Sequence, residues 1–413
     1  MHARVAALLP LLAAIPWLAA QEPAPAPKPV ATKPATAPAA TAPATDAPME
    51  LGFPAAWSTA EVGEGVVLHR RIFEALEGRP QAVAVLVVEA QRAEVTLELA
   101  IPGKLRRTSA VATERDALAA VNGGFYLADT SPRGRRRLAG KELVAGSGGS
   151  IATVGWAREG AVSFGGSQDD FAGCDDVMEA GPMVLVRSKV RPGGEKQRTV
   201  RHPRTVLGTR KDGTLVLAAI DGRNAKAAGM TFSDLGRLML ALGCTDAINL
   251  DGGGSTTMWT RADGVVNHPC DDKVFDAAGE RAVADAVLVH APAVVVLDDE
   301  LAHVAPEGAF ARVTARAALG GSHLLAKDGR AAEVTWTTAV PRPGRYAVFT
   351  RDLGSAAGSL AWNVPPARTG PAAPEGWKLV GAVEVAEGKL LTVRASGSAG
   401  ARMAVDALRL REL

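Results

Sequence analysis

The sequence predicts an α/β fold of the α+β kind with a mixed sheet, followed by a separate β-sandwich. Two observations predict the first part: the continuous apolar run Ala82–Val88, and a helix-period segment at 231–243 that lies between two apolar strands. A third observation, short alternating strands separated by Gly and Pro beyond residue 292, predicts the sandwich. A chain of 413 residues is long enough for two or three domains.

The elements before residue 130 are read from their periodicity. Ala82–Val88 is rich in Val and predicts a buried strand, whereas Glu94–Leu99 alternates polar and apolar residues as a half-buried strand does. The segment Glu114–Val121 predicts a helix that passes into a strand, which leads to Asn122–Tyr126.

The clearest local pattern is a helix between Thr231 and Gly243. Its apolar residues recur at helical spacing on one face (Leu235, Leu238, Met239 and Leu242). Thr231 or Ser233 can cap its start, and Gly243 stands where helices commonly end. The strands before and after this helix end at Asp221 and Asp251, so we expect both carboxylates at one edge of a sheet.

Beyond residue 292 we predict five strands of a β-sandwich: Val334–Thr338, Gly344–Arg351, Trp377–Val385, Leu390–Ala395 and Met403–Leu410. The tryptophans of this region (Trp336, Trp362 and Trp377) are expected to be core residues in preference to a sugar platform.

The first fifty residues indicate export. Residues 1–20 have a basic start, a short apolar run and a small-residue end, the pattern of a secretory signal peptide; a retained anchor is the alternative. Residues 21–50 are Pro/Ala-rich and predict a linker. We therefore expect a secreted or periplasmic protein of the bacterial envelope, with no membrane span after signal cleavage.

The net charge and the cysteine content argue against several classes of partner and site. The net charge is +2, which gives no indication of a nucleic-acid partner. The three cysteines (Cys174, Cys244 and Cys270) form no CxxC pair and have no His at metal-site spacing, so a zinc site is disfavoured. One disulfide is open to them, and Cys244 is expected to be a small buried residue.

The segment Asn249–Thr257 contains three successive glycines flanked by Asp251 and by Ser255 and Thr256. Such a loop allows close approach of a ligand, and its N–H and hydroxyl groups can bind an anion. No Lys follows the glycines, so it is not a nucleotide P-loop. The alternative is a tight turn after a strand.

Cationic and acidic residues next to glycines suggest a phosphate site and carboxylate chemistry. Arg204 and Arg223 are the phosphate candidates, because a guanidinium fork matches two phosphate oxygens; surface arginines are the alternative. His202 is expected to be structural or gating. Glycoside cleavage commonly uses two carboxylates, for which Asp251, Asp221 and Glu179 are the candidates. At Asn122-Gly123 the Asn amide can hold sugar hydroxyls, or the pair can form a hairpin turn.

Together these segments resemble the phosphodiester glycosidase family. The matching stretches lie in the family's order, at 122–126, 180–182, 202–205, 221–223, 229–231 and 249–256. The resemblance implies hydrolysis of a sugar-1-phosphodiester, such as an N-acetylglucosamine-1-phosphodiester, by a catalytic domain at 51–291. The residues it carries over are Asn122, Arg204, Thr205, Asp221, Arg223, Asn249, Asp251, Gly252, Gly253, Ser255 and Thr256; Gly123 belongs to the same matching stretch. Residues 292–413 are similar to golvesin-like domains, which implies a sandwich that could bind carbohydrate.

These inferences lead to one preferred function and two alternatives. The preferred function is an exported hydrolase that acts on a phosphorylated glycan or sugar-1-phosphodiester. The alternatives are a phosphodiesterase that cuts P–O bonds of wall or exopolysaccharide, and a non-catalytic protein that binds cell-wall glycan. No cofactor is required by the sequence; a divalent cation held by the Asp residues would help to neutralise charge, but no ligand spacing demands one. Arg133–Arg137 could rim an anionic substrate or be solvated.

Overall fold

Antiparallel β-sheets make up most of the protein. The computed structural model describes residues 48–146, 152–158, 160–305, 307, 310–314, 322–326, 332–351, 361–366, 370–397 and 404–413. Strands account for 48% and helices for 8% of the structure. The predicted signal peptide and nearly all of the predicted linker lie outside the described residues. Among the described residues, no helix has the length and apolar character to cross a bilayer.

In the described residues of the first part of the chain there are three α-helices, α1 (Thr108–Glu114), α2 (Glu195–Thr199) and α3 (Phe232–Ala241). Its strands are β1 (Ser58–Gly63), β2 (Val66–Leu76), β3 (Arg79–Val88), β4 (Thr96–Ala100), β5 (Arg106–Arg107), β6 (Ala119–Asn122), β7 (Arg136–Leu138), β8 (Lys141–Val144), β9 (Ala152–Trp156), β10 (Val162–Gly166), β11 (Asp176–Glu179), β12 (Met183–Val186), β13 (Lys189–Val190), β14 (Arg204–Arg210), β15 (Leu215–Ile220), β16 (Cys244–Asn249), β17 (Met258–Thr260), β18 (Gly264–Val265), β19 (Ala282–Val283) and β20 (Ala286–His290).

The largest sheet has eight strands in the order β1-β2-β3-β15-β14-β16-β12-β13. Two five-stranded sheets follow the orders β10-β9-β11-β7-β8 and β18-β17-β6-β20-β4. All pairings between the strands of these sheets are antiparallel, so the predicted mixed sheet is not confirmed.

The large sheet is covered on both faces, which explains the continuous apolar run in β3. Alternate residues point to opposite faces of a strand. Leu86 belongs to a hydrophobic cluster shared with the five-stranded sheets, whereas Val83 and Val85 belong to a second cluster that includes α3. Both faces of β3 are therefore buried from Val83 to Val85, which favours apolar residues at successive positions.

Helix α3 begins and ends as its sequence predicts. Thr231 is the N-cap, and its hydroxyl and the Asp234 side chain form a capping box with the reciprocal backbone N–H groups. Gly243 has a φ of +85°, the left-handed region that glycine adopts at helix ends. The four apolar residues of its predicted face are buried against the large sheet (Leu235, Leu238, Met239 and Leu242).

The order of strands brings the candidate residues together. β14 pairs with β15 on one side and with β16 on the other, antiparallel to both, so β15 and β16 run in the same direction. Arg204 at the start of β14 pairs with Ile220 at the end of β15, and Val206 pairs with Asn249 at the end of β16. Asp221, Asp251 and Arg204 therefore lie at one edge, as predicted, although an antiparallel strand stands between β15 and β16.

The C-terminal part also consists of antiparallel strands: β21 (Val294–Leu297), β22 (His303–Ala305), β23 (Phe310–Thr314), β24 (Ser322–Ala326), β25 (Ala332–Thr338), β26 (Gly344–Arg351), β27 (Ala361–Trp362), β28 (Trp377–Val385), β29 (Leu391–Gly397), β30 (Ala404–Val405) and β31 (Leu408–Glu412). They form sheets β21-β31-β26-β28, β22-β25-β29-β27 and β23-β24-β30, whose apolar residues share one cluster. Four of the five predicted strands are present, whereas the fifth, predicted at Met403–Leu410, is divided into β30 and β31, which belong to different sheets; Met403 lies outside the described residues. The predicted sandwich is not confirmed. Trp336 is buried, as expected of a core residue.

The last strand joins this part to the rest of the molecule through buried charges. Arg409 Nη2 lies 2.9 Å from Glu64 Oε2, and Arg411 contacts both Glu64 and Glu94 at 3.2 Å. Residues Thr45–Leu413 form one compact unit. The predicted domain boundary near residue 292 stays a prediction.

Candidate active site

Two arginines without carboxylate partners mark the edge where β14, β15 and β16 meet. Arg204 is buried: its Nε donates to Met230 O at 3.0 Å, and its guanidinium lies 4.2 Å from the ring centroid of Phe232. Arg223 is exposed, and its Nη2 lies 3.2 Å from His202 Nδ1. No carboxylate of the described residues forms a salt bridge with either arginine. Unneutralised cations that converge in this way can bind an anion.

The electrostatics of this cationic cluster favour the binding of an anion. Burial lowers the pKa of Arg204 to about 10, and the neighbouring charge of Arg223 lowers it as well. Burial, Arg204 and Arg223 all lower the pKa of His202, which favours the neutral imidazole. A bound anion would offset the electrostatic repulsion between the two arginine side chains. His202 thus lies between the arginines, consistent with the structural or gating role predicted for it.

The glycine loop crosses directly below Arg223. A Cβ at Gly253, which has a φ of +64°, would lie 2.9 Å from Arg223 Nη2, and a Cβ at Gly252 would lie 2.7 Å from Pro203 O. A Cβ at Gly254 would overlap the side chains of Asp271 and Arg281. The glycines are therefore needed for close approach of protein groups on three sides.

The N–H groups of this loop are mostly used within the protein, which differs from the predicted anion cradle. Gly252 N donates to Asp251 Oδ1 at 2.8 Å, and Gly253 N donates to Pro203 O at 2.9 Å. The N–H groups of Ser255 and Thr256 close a short 3₁₀ turn. Ser255 and Thr256 are buried side chains beneath the loop, so their predicted contact with a substrate is not supported by their burial.

Asp251 is the candidate carboxylate with the most altered environment near the arginines. Burial raises its pKa, and the Asp285 carboxylate raises it further, against the lowering effects of Ser255, Gly252 N–H and Arg281. A carboxylate with a raised pKa is a stronger base when ionised, which suits proton transfer or attack at a reacting carbon.

The Asp221 carboxylate already has hydrogen-bond partners that the sequence did not indicate. Its Oδ1 accepts from Asn267 Nδ2 and from His268 N, both at 2.9 Å, and its Oδ2 lies 2.7 Å from His268 Nδ1. The His268 ring is stacked on Phe275 with centroids 3.8 Å apart. Asp221 thus orients His268, and His268 becomes an additional candidate for the site. His268-Pro-Cys gave no motif that would have indicated it.

The side chains of the two candidate asparagines are hydrogen-bonded to the backbone of neighbouring loops. Asn122 is fully buried; its Nδ2 donates to Asp251 O at 2.8 Å, and its Oδ1 accepts from Thr205 Oγ1 at 2.6 Å and from Thr257 N. Asn249 is also buried and donates to Gly181 O and Leu250 O. Asn122, Thr205 and Asn249 therefore position the Asp251 loop, and the sugar contact predicted for the two asparagines has no exposed amide to make it.

Glu179 lies below a second loop. It is buried at the end of β11, where its Oε2 accepts from Arg135 N at 3.1 Å and its backbone carbonyl accepts from Arg136 Nη1. Glu179 therefore positions the 133–137 segment through these hydrogen bonds. The Arg133–Arg137 run, expected to rim a substrate or be solvated, is instead largely paired: Arg135 and Arg137 both contact Glu142.

A fully buried ion pair joins this segment to Asp251. Arg136 Nε lies 2.7 Å from Asp285 Oδ2, and both side chains are 0% exposed. Asp285 Oδ1 also accepts from Gly124 N at 2.7 Å, and a Cβ at Gly123 would overlap that oxygen. Gly123 is therefore required by Asp285, a residue that gave no sequence signal.

We expect Asp285→Ala to lower the free energy of unfolding by about 3–5 kcal/mol, because Arg136 would keep an uncompensated buried charge. Urea unfolding measures this loss. The control is Asp271→Ala, which breaks a partly exposed pair with Arg281 and should cost at most about 1 kcal/mol. Equal losses in the two variants would contradict the assignment.

Among the residues that the structure describes, Asp251 belongs to no group of three potential metal ligands. Within the part of the chain that the structure describes, the group of three acidic residues close enough to share an ion is Asp298, Asp299 and Asp406, all in the C-terminal part. A divalent cation at the candidate active site therefore stays a prediction.

The cysteines are free thiols; Cys244 is buried as expected, and burial raises its pKa to about 12.

Fold and site together give a β-sheet domain in which two arginines lie at the same sheet edge as a half-buried carboxylate. Residues 115–290 match the family model described as phosphodiester glycosidase. This segment, less than half of the chain, is therefore similar to phosphodiester glycosidase domains.

Three individual proteins are also similar to parts of this chain. The SPbeta prophage-derived uncharacterized protein YomE of Bacillus subtilis (strain 168) is 40% identical over 93 residues, which cover 22% of this chain and 13% of that protein. The catalytic domain of zebrafish N-acetylglucosamine-1-phosphodiester alpha-N-acetylglucosaminidase is 21% identical with a TM-score of 0.47, covering 56% of this chain and 84% of that one. A hypothetical protein from Synechocystis is 13% identical with a TM-score of 0.48, covering 57% and 64%.

Proposed function

We propose that the protein is an exported phosphodiester glycosidase that hydrolyses a sugar-1-phosphodiester to free sugar and a phosphomonoester. The observation that carries the proposal is the pair Arg204 and Arg223, which have no carboxylate partner among the described residues and lie at the same sheet edge as Asp251. The family match of residues 115–290 supports the same chemistry. An N-acetylglucosamine-1-phosphodiester is the first substrate to test.

In this mechanism the arginines bind the phosphate and Asp251 acts at the anomeric carbon. Water adds to that carbon, the bond from the carbon to the phosphate oxygen breaks, and the electron pair stays on the phosphate. The guanidinium groups stabilise that charge, so the leaving group needs little help from an acid. Asp251 acts as an ionised base that takes the proton of the water, or as a nucleophile that water later displaces.

Product identity tests the proposal. The purified protein is incubated with sugar-1-phosphodiesters, and reducing sugar, sugar-1-phosphate and free alcohol are measured separately. Reducing sugar with a phosphomonoester supports the glycosidase. Sugar-1-phosphate with free alcohol would instead indicate the phosphodiesterase, and saturable glycan binding without any product would indicate the binding protein.

A role for the C-terminal part in binding cell-wall glycan is a second, separate proposal. Trp362 and Trp377 support it, because both residues are half-buried whereas Trp336 is buried. Loss of binding to wall polysaccharide in Trp377→Ala, with unchanged hydrolysis of a soluble substrate, is the expected result.

A further inference from the structure

Positive charge is concentrated in one segment of the chain, between the end of β12 and the start of β14. Residues 187–204 contain seven Lys or Arg residues and a single Glu, which gives the segment a net charge of +6. The whole chain has a net charge of +2, so all its other residues together carry −4. A charge separation of this kind produces a local positive potential that attracts anions. The low net charge of the whole chain is therefore compatible with one strongly cationic surface.

Three exposed side chains of this segment have no acidic partner. Arg187 lies in the turn between β12 and β13, Lys189 begins β13, and Arg198 belongs to α2. No carboxylate of the described residues forms a salt bridge with any of them. Arginines of the 133–137 run differ, since they are paired with Glu142. We call Arg187, Lys189 and Arg198 the cationic strip.

The backbone of the β12–β13 turn indicates that Arg187 is not there to form the turn. Arg187 has a φ of +48° and Ser188 has a φ of +62°, both in the left-handed region. Asn and Gly are the usual residues of such a two-residue hairpin turn, because they adopt positive φ at least cost. Asp246 Oδ1 accepts from Arg187 N at 3.0 Å, which holds the turn, and the Arg187 side chain is exposed. A charged side chain thus stands where the backbone favours other residues.

The cationic strip continues along the chain into the arginine pair of the candidate active site. After Arg198 the chain reaches Val200, whose carbonyl oxygen accepts from Arg204 Nη2 at 3.4 Å. His202 follows, with its Nδ1 at 3.2 Å from Arg223 Nη2. Val200 is itself exposed, so the surface between the strip and the arginine pair is open to solvent. The strip and the arginine pair are therefore parts of one cationic surface.

We propose that the substrate is a linear glycan whose sugars are joined by several phosphodiesters, and that the cationic strip binds phosphates that neighbour the one in the active site. The inference rests on the proposed function, since it assumes that Arg204 and Arg223 hold the phosphate of the bond that is cut. A substrate with a single phosphodiester does not reach the strip. Weak contacts along one chain reinforce each other because they are linked, and the positive potential speeds the encounter with the polymer.

The alternative is that these charges only protect the sheet. β13 is an edge strand of the eight-stranded sheet, and charged side chains on an edge strand discourage pairing with other sheets. This role requires no ligand, so it predicts that affinity for an anionic oligomer does not depend on the strip.

Calorimetric binding to synthetic oligomers separates the two explanations. The protein carries Asp251→Asn so that turnover is suppressed during the measurement. The probes are phosphodiester-linked N-acetylglucosamine oligomers with one and with six phosphates, the neutral N-acetylglucosamine hexamer, and a DNA oligonucleotide with six phosphates. Affinities are compared per phosphate group, which removes the advantage of several equivalent binding registers.

The test variant removes the three charges of the strip through Arg187→Gln, Lys189→Gln and Arg198→Gln. The control removes the same number of charges from exposed lysines outside the segment, through Lys104→Gln, Lys141→Gln and Lys389→Gln. Arg187→Gln alone is a milder variant at an exposed turn, which guards against a loss of fold in the triple variant.

With the strip intact, we expect the oligomer with six phosphates to bind at least about tenfold more tightly than the oligomer with one, although each exposed ion pair is weak. The strip variant should lose this gain, Arg187→Gln should lose part of it, and the control should keep it. About 0.5 M NaCl should remove the gain, because salt screens exposed charges.

Three results would overturn the proposal. They are equal affinities for the two phosphodiester oligomers with the strip intact, a gain that survives in the strip variant, and binding of the neutral hexamer or of DNA at least as tight as that of the glycan with six phosphates. The product assay separately decides the proposed function, since binding is measured here without cleavage.

Discussion

Replacing Asp251 by Asn is expected to lower kcat by about 10²–10⁴-fold, the contribution typical of a positioned proton-transfer group. The amide keeps the shape of the side chain, and Gly252 N can still donate to its oxygen as it does to Asp251 Oδ1. It can neither accept the proton of water nor attack the anomeric carbon. Initial rates of reducing-sugar release measure the loss.

The pH profile gives this first prediction an independent readout. Burial raises the pKa of Asp251 above the usual aspartate range. Because the proposed mechanism needs the ionised carboxylate, activity should fall as pH decreases through this raised pKa, and the low-pH limb should disappear in Asp251→Asn. The control is Asp170→Asn, an exposed carboxylate outside the site, which should match the wild type. A variant with wild-type rates at all pH values would remove Asp251 from the chemistry.

Replacing Arg223 by Ala is expected to lower kcat/KM for a phosphodiester by about 10–140-fold, equivalent to about 1.5–3 kcal/mol for the loss of a hydrogen bond between charged groups. Arg223 is the cleaner choice of the two arginines. Its guanidinium contacts His202 and lies near Cys270, whereas Arg204 also bonds Met230 O and stacks on Phe232. Steady-state kinetics on the sugar-1-phosphodiester measure the effect.

Two comparisons show whether Arg223 acts on phosphate. Arg223→Lys should recover only part of the activity, because a lysine ammonium lacks the planar fork that matches two phosphate oxygens. Arg191→Ala, which removes an exposed arginine away from the site, should have no effect. If Arg223→Ala weakened activity on an uncharged glycoside as much as on the phosphodiester, the phosphate contact would be wrong.

The local sequence predicted several of the elements and much of the edge that carries the candidate site, although the helix predicted to begin at Glu114 in fact ends there, as α1 (Thr108–Glu114). The spacing of apolar residues and the cap at Thr231 located α3, and the apolar runs located β3, β15 and β16. Asp251 and Arg223 could be named as candidates because each stands beside a glycine after a strand, and Arg204 because it directly precedes an apolar strand. These features depend on neighbours within a few residues, which is why they could be predicted.

Only the tertiary structure decided which candidate side chains are available to a ligand. Asp221 is occupied by Asn267 and His268, which lie 46 and 47 residues away in the chain, and Asn122 is occupied by Thr205 and by the backbone of Asp251, 83 and 129 residues away. Asp285 and Arg136 form a buried pair across 149 residues. A sequence shows that a residue can donate or accept a hydrogen bond. Whether that capacity is already used depends on strand order, which here placed β14 antiparallel between β15 and β16.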